Sequence, residues 1–510
     1  MGERVHKSIL NAEVNMLFYF LSLFLAFFSR KIFLDNLGAD FIGLTGTLGN
    51  ILGYLNLAEL GIGSCISYFL FKPLQSNDYD GIQEIMSVFG YLYRCIGLLI
   101  LCGGIVISLF FPFIFANTIL GLGIVFFAFY SFLGSSLIGY FINYRQILLS
   151  ADQKNYMVLI YFRTAELIKI ILQISLAISF KNLYFWILIE FLFGVLGCII
   201  LNIKINKEYP WLKTDIKQGR ALLKKYPTIK TKTKQIFIHK IKDFVLRQSD
   251  ELFIFAFVSL KMVAYYGNYM LIISKISTLF ATTLSSVNSG VGNLVAEGNK
   301  PNMIKVFWEI TTVHHLIAGI ICFSVYYLIE PFISLWLGNE YILDHRILVL
   351  LLIYIYMNNS RGAVDMFNFA FGLYGDVWAA WVELFINVAI TFTAGFYYGI
   401  AGILLGKIVS VFLIIVLWKP FYLYSSGFKI PYLHFWAGAV RYYIIFAIAF
   451  LGGTSISFYI PIDPYASYLN WILYAVCIVS TYIFIECSGL YLFAPGSKDL
   501  IKRINFKRRK

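Results

Sequence analysis

The segment LYFWILIEFLFGVLGCIILNI, residues 183–203, decides the fold class. Its 21 residues include a single charged side chain, Glu190, and a helix needs roughly 20 mostly apolar residues to cross a bilayer. Comparable segments recur along a chain of 510 residues that is 60% hydrophobic and only 13% charged. The sequence therefore predicts an all-α polytopic membrane protein with about 14 transmembrane helices.

The predicted spans leave almost no soluble mass on either side of the membrane. They cover the ranges 11–34, 41–71, 86–111, 115–141, 155–179, 183–203, 236–259, 263–295, 304–334, 346–371, 377–397, 400–424, 435–459 and 468–492. A chain built almost wholly of spanning helices is typical of a protein that moves a molecule through the membrane.

Positive charge predicts the orientation, because loops rich in Lys and Arg resist translocation and stay in the cytoplasm. With the N-terminus inside, 28 of the 41 Lys and Arg residues fall in cytoplasmic segments and 5 fall in outside segments. The even number of spans puts the C-terminus on the same side. We therefore expect a multi-pass protein of the cytoplasmic membrane with both termini in the cytoplasm.

The formal net charge of +14 is concentrated in two segments. Residues 204–242 carry a net charge of +10 and residues 498–510 carry +6, so the rest of the chain sums to −2. Basic runs beside spanning helices bind anionic cytoplasmic headgroups. This distribution predicts contact with membrane lipids and argues against nucleic acid, and a docking surface for a partner enzyme is the alternative.

The cysteines and the N-terminus predict little further chemistry. All seven cysteines fall inside predicted spans and none forms a CxxC pair, so we expect no metal, no disulfide and no cofactor. The first apolar run is too long for a cleavable signal peptide and is expected to remain as a helix.

The chain repeats short patterns at a nearly constant offset. Residues 40–43 and 264–267 each open a span, 224 positions apart, and Glu166 and Glu383 lie in matching helices, 217 positions apart. Transporters are often built from two related halves with the substrate site at their interface. The sequence predicts two pseudo-symmetric six-helix lobes and two extra C-terminal helices. The predicted boundaries are 1–203 for the N-lobe, 204–234 for a basic cytoplasmic linker, 235–430 for the C-lobe, 431–497 for helices 13 and 14, and 498–510 for a basic tail.

Polar residues follow one face of the predicted span 263–295. Because a charge in hydrocarbon is costly, such residues face protein or water, and a wet cavity is predicted beside this face. Hydroxyls that bond their own backbone or pack between helices are the alternative. A weaker stripe in span 41–71 contains Gly49 and Gly53, which we expect to pack against another helix. The first face carries Lys275, Thr278, Thr282, Ser285, Ser286 and Ser289, and the second carries Asn50, Gly53, Asn56 and Glu59.

Charged residues inside the spans mostly occur with a partner one helical turn away. Such pairs are either structural and self-neutralising or functional. Lys275 differs because it has no acid three or four positions away, which favours neutralisation by an anionic ligand. The pairs are Arg247 with Asp250 and Glu251, Arg361 with Asp365, and Arg163 with Glu166 and Lys169.

At these residues the chain resembles a known family. It is similar to the Wzx-type lipid-linked oligosaccharide flippases, the polysaccharide transporter branch of the multidrug/oligosaccharidyl-lipid/polysaccharide flippase superfamily. The resemblance covers about the first twelve helices. It is carried by Ser29-Arg30 through Leu37-Gly38, Phe41-Ile42-Gly43-Leu44, residues 57–63, Gln248-Ser249-Asp250, Tyr266-Gly267-Asn268-Tyr269, residues 289–294, Trp336-Leu337-Gly338, Gly372-Leu373-Tyr374 and residues 399–403.

The resemblance implies two lobes that open alternately to each side of a bacterial inner membrane. It implies a polyprenyl-diphosphate-linked oligosaccharide as substrate, and the polymerase and glycosyltransferases of the same pathway as partners. Arg30, Arg247 and Lys275 would contact the diphosphate, and Asp250 would be a gating or coupling carboxylate. Drug-exporting relatives carry a carboxylate well inside helix one, which this chain lacks, so the coupling ion stays open and Glu59 is the fallback.

Two other classes of protein compete with this interpretation. A membrane glycosyltransferase or polymerase needs a large outside loop with catalytic acids, whereas the longest outside segment here is about 335–345. A drug exporter of the same superfamily is weakened by the missing acid in helix one. We therefore expect a transporter with no catalytic activity of its own.

Overall fold

The computed structural model describes residues 3–59, 62–116, 118–152, 154–225, 249–285, 288–373 and 375–508. Within these ranges every regular element is a helix and no strand occurs. The all-α fold class is therefore confirmed. The predicted span 236–259 lies mostly outside the described residues.

The first half of the chain forms seven long helices. They are α1 (Glu3–Leu37), α2 (Ala39–Leu55), α3 (Ile62–Ser76), α4 (Tyr79–Ser108), α5 (Leu122–Ile142), α6 (Asn155–Phe180) and α7 (Leu183–Glu208). Shorter helical pieces are Asn56–Glu59, Phe111–Ile114, Asn143–Arg145, Gln146–Ala151, Gly219–Lys225 and the residues 249–257.

The second half forms ten further labelled helices. They are α8 (Leu260–Ser285), α9 (Asn288–Glu297), α10 (Lys300–Trp336), α11 (His345–Ser360), α12 (Gly362–Ala370), α13 (Val377–Tyr398), α14 (Ile400–Val411), α15 (Leu433–Ser457), α16 (Tyr468–Phe493) and α17 (Ser497–Arg508). Beyond α14 the chain stays helical through Phe412–Trp418, Lys419–Tyr422 and Leu423–Phe428, and Asn339–Tyr341 forms a short turn.

Ten helices in the described ranges are long and apolar enough to cross a membrane. This finding confirms a multi-pass membrane protein. Helix α6 also has 26 residues but carries Arg163, Glu166 and Lys169, which lowers its hydropathy.

Side-chain caps explain why several helices begin where they do. The first N–H groups of a helix have no partner inside it, and a preceding Asn, Asp or Ser can accept from them. Asp78 accepts from the Gly81 N–H at 2.9 Å and starts α4, seven residues before the predicted span. Asn182 caps α7 at 2.9 Å, and Ser467 caps α16 at 3.1 Å.

The predicted span 41–71 is wrong as a single helix. Helix α2 ends at Leu55, a tight turn covers Asn56–Glu59, and α3 begins at Ile62. The break coincides with Glu59, whose carboxylate accepts hydrogen bonds from Tyr93 and Tyr140 on two other helices. Packing of a charged group against distant tyrosines therefore interrupts a segment that is apolar enough to be continuous.

The chain divides into two compact units. The N-unit comprises Met1–Phe255 with Ser259–Ala264, and the C-unit comprises Ala256–Val258 with Tyr265–Lys510. The lobe and linker boundaries predicted from the sequence stay a prediction.

The core of the C-unit surrounds Phe307 on α10. Its ring contacts those of Phe367, Tyr424 and Phe428 at centroid distances of 5.6, 5.7 and 5.6 Å. These edge-on contacts between aromatic rings hold α10 against α12 and the turns that follow α14. The same helix α10 carries Glu309, Thr312 and His315, three buried polar residues described below.

The basic C-terminal tail forms helix α17, which is tied to α10 by two ion pairs. Arg503 pairs with Glu309 at 2.9 Å, and Lys305 pairs with Asp499 at 3.2 Å. Part of the positive charge of the tail is thus held by acids of the C-unit.

Candidate functional site

A buried polar cluster lies in the N-unit where α1, α2 and the residues 249–264 meet. The helices approach closely at Gly43, because a Cβ added there would lie 2.0 Å from the Leu260 carbonyl oxygen. One turn away, a Cβ at Gly46 would lie 3.0 Å from the Glu251 Oε2. Glycine at these positions lets α2 approach the polar residues on 249–264.

Glu251 is the centre of this cluster. Its Oε2 accepts a hydrogen bond of 2.6 Å from the Asn50 Nδ2 of α2. The charges of Arg30 and Asp250 also act on the same carboxylate. We name Arg30, Asn50, Asp250 and Glu251 the Glu251 cluster.

Arg30 brings the positive charge into the Glu251 cluster. It lies on α1, is half-buried, and donates from Nη2 to the Ala264 carbonyl oxygen at 3.0 Å. A guanidinium has five N–H donors in a fixed fork, a geometry that suits recognition of an anion. The helix α1 therefore presents an oriented cation at the cluster.

The formal charge of the Glu251 cluster is −1, from one guanidinium and two carboxylates. Asp250 is only 4% exposed, and neighbouring carboxylates in a medium of low dielectric repel each other strongly. An anionic ligand that binds Arg30 would compete with the carboxylates for it.

The sequence predicted this site only in part. Asp250 and Arg30 were named as site residues and lie together, but Arg247 lies outside the described residues, so its pairing with Asp250 stays a prediction. Asn50, which the sequence placed in a weak stripe, supplies the amide that bonds Glu251. The signal was available, since Asn50 and Glu251 are both polar residues inside predicted spans.

The prediction that Gly49 packs closely is wrong. Gly49 is exposed, and a Cβ there meets none of the described atoms within 4 Å. The close approach of α2 lies at Gly43 instead. A GxxxG pattern marks a face that can pack closely without identifying which glycine does so.

Glu59 forms a second, separate polar site in the N-unit. The Tyr140 hydroxyl of α5 donates to its Oε2 at 2.6 Å, and the Tyr93 hydroxyl of α4 donates to its Oε1. Beside it, the Ser136 hydroxyl donates to the Asn56 Oδ1 at 3.3 Å. Both carboxylate oxygens therefore have donors, so this site already satisfies its charge with neutral partners.

Three further predicted residues lie on α8. Lys275 is half-buried and Thr278 is exposed. The side chain of Thr282 lies outside the described residues. The wet cavity predicted beside this stripe stays a prediction.

The other predicted intramembrane pairs are mutually neutralised. Arg361 pairs with Asp365 at 3.0 Å and Arg163 with Glu166 at 2.6 Å, as their spacing predicts. Lys169 instead reaches Glu190 on α7 at 2.7 Å, a cross-helix contact that spacing along one helix cannot reveal. Each of these charges therefore has an opposite charge beside it.

The C-unit contains buried charged residues that the sequence analysis did not propose as site residues. Glu383 on α13 and Lys407 on α14 are 2% and 4% exposed, and the Lys407 ammonium lies 5.0 Å from the centre of the Tyr354 ring. Glu486 on α16 is 1% exposed. All three are charged residues inside predicted spans, which is the signal that marks them.

An apolar cavity of about 720 Å³ also lies in the C-unit. Helices α10, α11 and α15 and the chain from α14 to Phe428 form its walls. Its lining is aliphatic and aromatic and includes Tyr326, Ile353, Tyr356, Phe412, Tyr443 and Phe450. A cavity of this size and composition suits a hydrocarbon chain.

Within the described ranges, no group of three His, Cys, Asp or Glu side chains could hold a metal ion. The cysteines Cys95, Cys102, Cys198, Cys322, Cys477 and Cys487 are free.

Solved structures identify the fold. The chain is similar to the lipid II flippase MurJ in an inward closed conformation, with a TM-score of 0.67, 15% sequence identity, and coverage of 97% of this chain and 100% of that one. It is also similar to an inward-facing multidrug resistance MATE family transporter of the MOP superfamily, with a TM-score of 0.58, 15% identity, and coverage of 82% and 98%.

An outward-facing MATE family transporter matches with a TM-score of 0.51, 14% identity, and coverage of 84% of this chain and 97% of that chain. The chain therefore has the fold of MOP superfamily transporters. The matching proteins are a lipid flippase and multidrug transporters. No protein-family model matches the chain. No curated protein matches it either.

Proposed function

We propose that the chain is a flippase that moves a polyprenyl-diphosphate-linked oligosaccharide across the bacterial cytoplasmic (inner) membrane by alternating access. The oligosaccharide would serve the synthesis of a surface polysaccharide such as lipopolysaccharide O-antigen, capsule or exopolysaccharide. The partners would be the polymerase and glycosyltransferases of that pathway and the membrane lipids. Both termini would lie in the cytoplasm.

The length of the fold match is the observation that carries this proposal. The lipid II flippase covers 97% of this chain, whereas the inward-facing MATE transporter is itself matched over 98% of its length and covers only 82%. The uncovered 18% of 510 residues is about 90 residues, close in length to the segment 433–510 with helices α15, α16 and α17. The flippase match extends over this additional length, which favours a lipid-linked substrate over a drug.

The arrangement of the Glu251 cluster supports the proposal that the ligand carries concentrated negative charge. In the empty site, Arg30 acts on Glu251, which reduces the cost of burying both charges. An arriving diphosphate would compete for the guanidinium and release the carboxylates. Asp250 would then act as the gating or coupling carboxylate, with Glu59 as the second candidate.

The remaining predicted contacts complete the proposed site. Arg247 and Lys275 would add positive charge for the diphosphate, and the hydroxyls of Thr278 and Thr282 would bond its oxygens or the sugars. Charge-assisted hydrogen bonds to phosphate are roughly twice as strong as neutral ones. The coupling ion is not assigned by these residues.

The apolar cavity of the C-unit supports the proposal that the substrate has a lipid tail. Its volume of about 720 Å³ lies within the range of sites that hold small apolar ligands. A polyprenyl chain is much longer, so the cavity would hold one section of it while the rest stays in the bilayer.

The test is reconstitution of the purified protein in liposomes with a labelled lipid-linked oligosaccharide on one face. The proposal predicts that chemically unchanged lipid appears on the other face, and that Arg247→Ala and Lys275→Ala block this movement without loss of protein. A new glycosidic bond made by the protein alone would identify a glycosyltransferase. Transport of a cationic drug with no movement of the lipid would identify a multidrug exporter.

A further inference from the structure

Glu486 is a buried carboxyl group of the C-unit and differs from Glu251 and Glu59 of the N-unit. It lies on α16, is 1% exposed, and its Oε2 has no hydrogen-bond partner in the described part of the chain. Buried polar atoms in folded proteins almost always have a partner, so an orphaned carboxylate oxygen needs an explanation.

The backbone of α10 makes room for this carboxyl group. A Cβ added at Gly319 would lie 2.1 Å from the Glu486 Oε1 and 2.6 Å from the Tyr482 hydroxyl oxygen. Gly319 is close to the middle of the 37-residue helix Lys300–Trp336. Glycine at this point lets the carboxyl group and the phenol of Tyr482 pack directly against the middle of a spanning helix.

The neighbours of Glu486 are neutral groups. Those that interact with it electrostatically are Cys322 on α10, Tyr356 on α11, and Tyr482 and Cys487 on α16 itself. Helix α15 packs against α16 through Ile445 and Ala449 among others; its buried titratable residue Tyr442 bonds Thr312, and its Arg441 is exposed. No lysine or arginine is among these described neighbours.

An isolated carboxylate in an apolar interior is costly, and a bound proton removes that cost. A metal ion would need several oxygen or nitrogen ligands, and no metal-binding group of His, Cys, Asp and Glu occurs in the described ranges. The proton is therefore the ligand that this surrounding suits.

Polar groups also connect the region of Glu486 to one end of α10. They lie on α10 at positions 305, 309, 312 and 315, at steps of three or four residues that place them on one face, and Gly319 follows on the same face. Each position meets a polar partner from another helix. The partners are Asp499 for Lys305, Arg503 for Glu309, Tyr442 for Thr312, Tyr356 for His315, and Glu486 beside Gly319.

The distances within this row suit proton transfer over part of its length. The Thr312 Oγ1 lies 2.8 Å from the Tyr442 hydroxyl, and the His315 Nδ1 lies 3.0 Å from the Tyr356 hydroxyl. The rings of His315 and Tyr442 stack at 4.8 Å. From Lys305 to Gly319 the row extends about 21 Å, at a rise of 1.5 Å per residue.

We propose that Glu486 is a proton-binding site in the middle of the C-unit, reached along the polar face of α10 from the end that carries Lys305. A proton from water at that end would form an O–H bond on the Glu486 carboxylate and leave as a proton again. Tyr356 also lines the apolar cavity, so a ligand there would contact a direct neighbour of the site. Coupling of this proton to transport rests on the proposed function, whereas binding of the proton does not.

The first experiment measures proton binding without any substrate. The purified full-length protein is titrated with acid and base while infrared difference spectra record the carbonyl band of protonated carboxylic acids. All carboxyl groups of the protein contribute to this band, so the assignment rests on differences between variants. We expect a pH-dependent component that is absent in Glu486→Gln, present in Glu486→Asp, and still present in the control Glu340→Gln, which removes only the contribution of an exposed side chain. If Glu486→Gln removes no component that Glu340→Gln leaves in place, the proposal is overturned.

A second variant keeps the test valid if Glu486→Gln does not fold. Gly319→Ala places a methyl group on the Glu486 carboxyl group, so its band must shift or disappear, while Gly452→Ala serves as control because its Cβ would meet only ordinary contacts of 3.5 Å and longer. A band unchanged by Gly319→Ala contradicts the assignment.

The transport step is tested separately in liposomes. We expect an imposed pH gradient to change the rate of lipid movement several-fold in the wild type and to have no effect in Glu486→Gln. A gradient effect of equal size in both proteins overturns the coupling. Because the infrared experiment contains no substrate, failure of the proton site and failure of the proposed flippase are told apart.

Discussion

Glu486 in the C-unit is neutralised in a different way from the buried carboxylates Glu251 and Glu59 of the N-unit. Glu251 accepts from Asn50 at 2.6 Å and lies under the charge of Arg30, and Glu59 accepts from two tyrosines. Glu486 of the C-unit has an orphaned oxygen and no described cation beside it. Acids with donors on both oxygens or a cation beside them can stay charged, whereas an acid with an orphaned oxygen and no cation favours a mobile proton.

This difference favours different functions for the Glu251 cluster and for Glu486. A preorganised cation beside carboxylates, as in the Glu251 cluster, suits exchange of one anion for another. A carboxyl group among phenols and thiols suits gain and loss of a proton. The substitutions below test each side of the comparison, beginning with the largest expected effect.

The close approach at Gly43 holds the Glu251 cluster together, so its loss should affect the N-unit most. In Gly43→Ala the new methyl group would lie 2.0 Å from the Leu260 carbonyl oxygen, and overpacking of this kind costs about 3 kcal/mol. Thermal unfolding in detergent should show a much lower midpoint. Gly49→Ala on the same helix is the control and should leave the midpoint nearly unchanged; equal melting of the two variants would contradict the described packing.

Arg30 should be needed for transport. Removal of a charge-assisted contact to phosphate costs about 1.5 to 3 kcal/mol, so Arg30→Gln should lower lipid movement at least about tenfold. The matched control is Arg163→Gln, because Arg163 forms an exposed ion pair with Glu166, the two side chains being 46% and 38% exposed. Comparable loss in both variants would mean that Arg30 has no special role.

Asp250 should control turnover more than binding. In Asp250→Asn a diphosphate has one fewer carboxylate to displace, so we expect equal or tighter binding of lipid-linked oligosaccharide and transport slowed several-fold, because the empty site resets poorly. The measurement is binding affinity beside the transport rate. Weaker binding with an unchanged rate per bound molecule would reverse the assigned role.

The tyrosines around Glu59 should contribute to stability. Tyr140→Phe removes the 2.6 Å hydrogen bond to Oε2, which should lower the free energy of unfolding by about 1 kcal/mol. Tyr397→Phe is the control, since Tyr397 is 78% exposed. If Tyr140→Phe instead leaves stability intact and abolishes transport, Glu59 is a coupling residue and the contrast with Glu486 weakens.

The smallest effect is expected outside the membrane, at Lys154. Burial opposes its charge, but hydrogen bonds and charges from Asp152 and Glu208, at 2.7 and 3.0 Å, outweigh burial and raise the pKa of Lys154. A lysine whose pKa is raised by folding stabilises the folded state at pH values below its usual pKa of about 10.4. This stabilisation is lost as the pH rises through the pKa of the folded state. Lys154→Met should therefore cost up to about 1 kcal/mol at neutral pH, and the difference should disappear in strongly alkaline buffer, as followed by thermal unfolding. A difference that persists there would point to packing and not charge.

The sequence predicts the existence of spans well, because hydropathy is a local property. The predicted ranges 377–397 and 468–492 differ little from Val377–Tyr398 and Tyr468–Phe493. The break after Leu55 could not be predicted, since it accompanies hydrogen bonds between Glu59 and tyrosines 34 and 81 residues away.

Ion-pair and hydrogen-bond partners on different helices could not be predicted from the sequence either. Lys169 lies within reach of Glu166 on its own helix yet pairs with Glu190, and Asn50 bonds an acid 201 residues away. Glu486 gave a signal as a charge inside an apolar span, but its isolation follows from the packing of α16 against Gly319. Local spacing identifies buried charge, and only tertiary contacts show whether that charge is satisfied.

The central claim is that this chain moves a lipid by its diphosphate. The most direct measurement compares, in the same proteoliposomes, the movement of one labelled polyprenyl chain carrying a diphosphate-linked oligosaccharide with that of its monophosphate and uncharged alcohol analogues. The account predicts rapid movement of the diphosphate lipid, little of the others, and loss of this preference in Arg30→Gln. Equal movement of all three lipids, unchanged by Arg30→Gln, would contradict it.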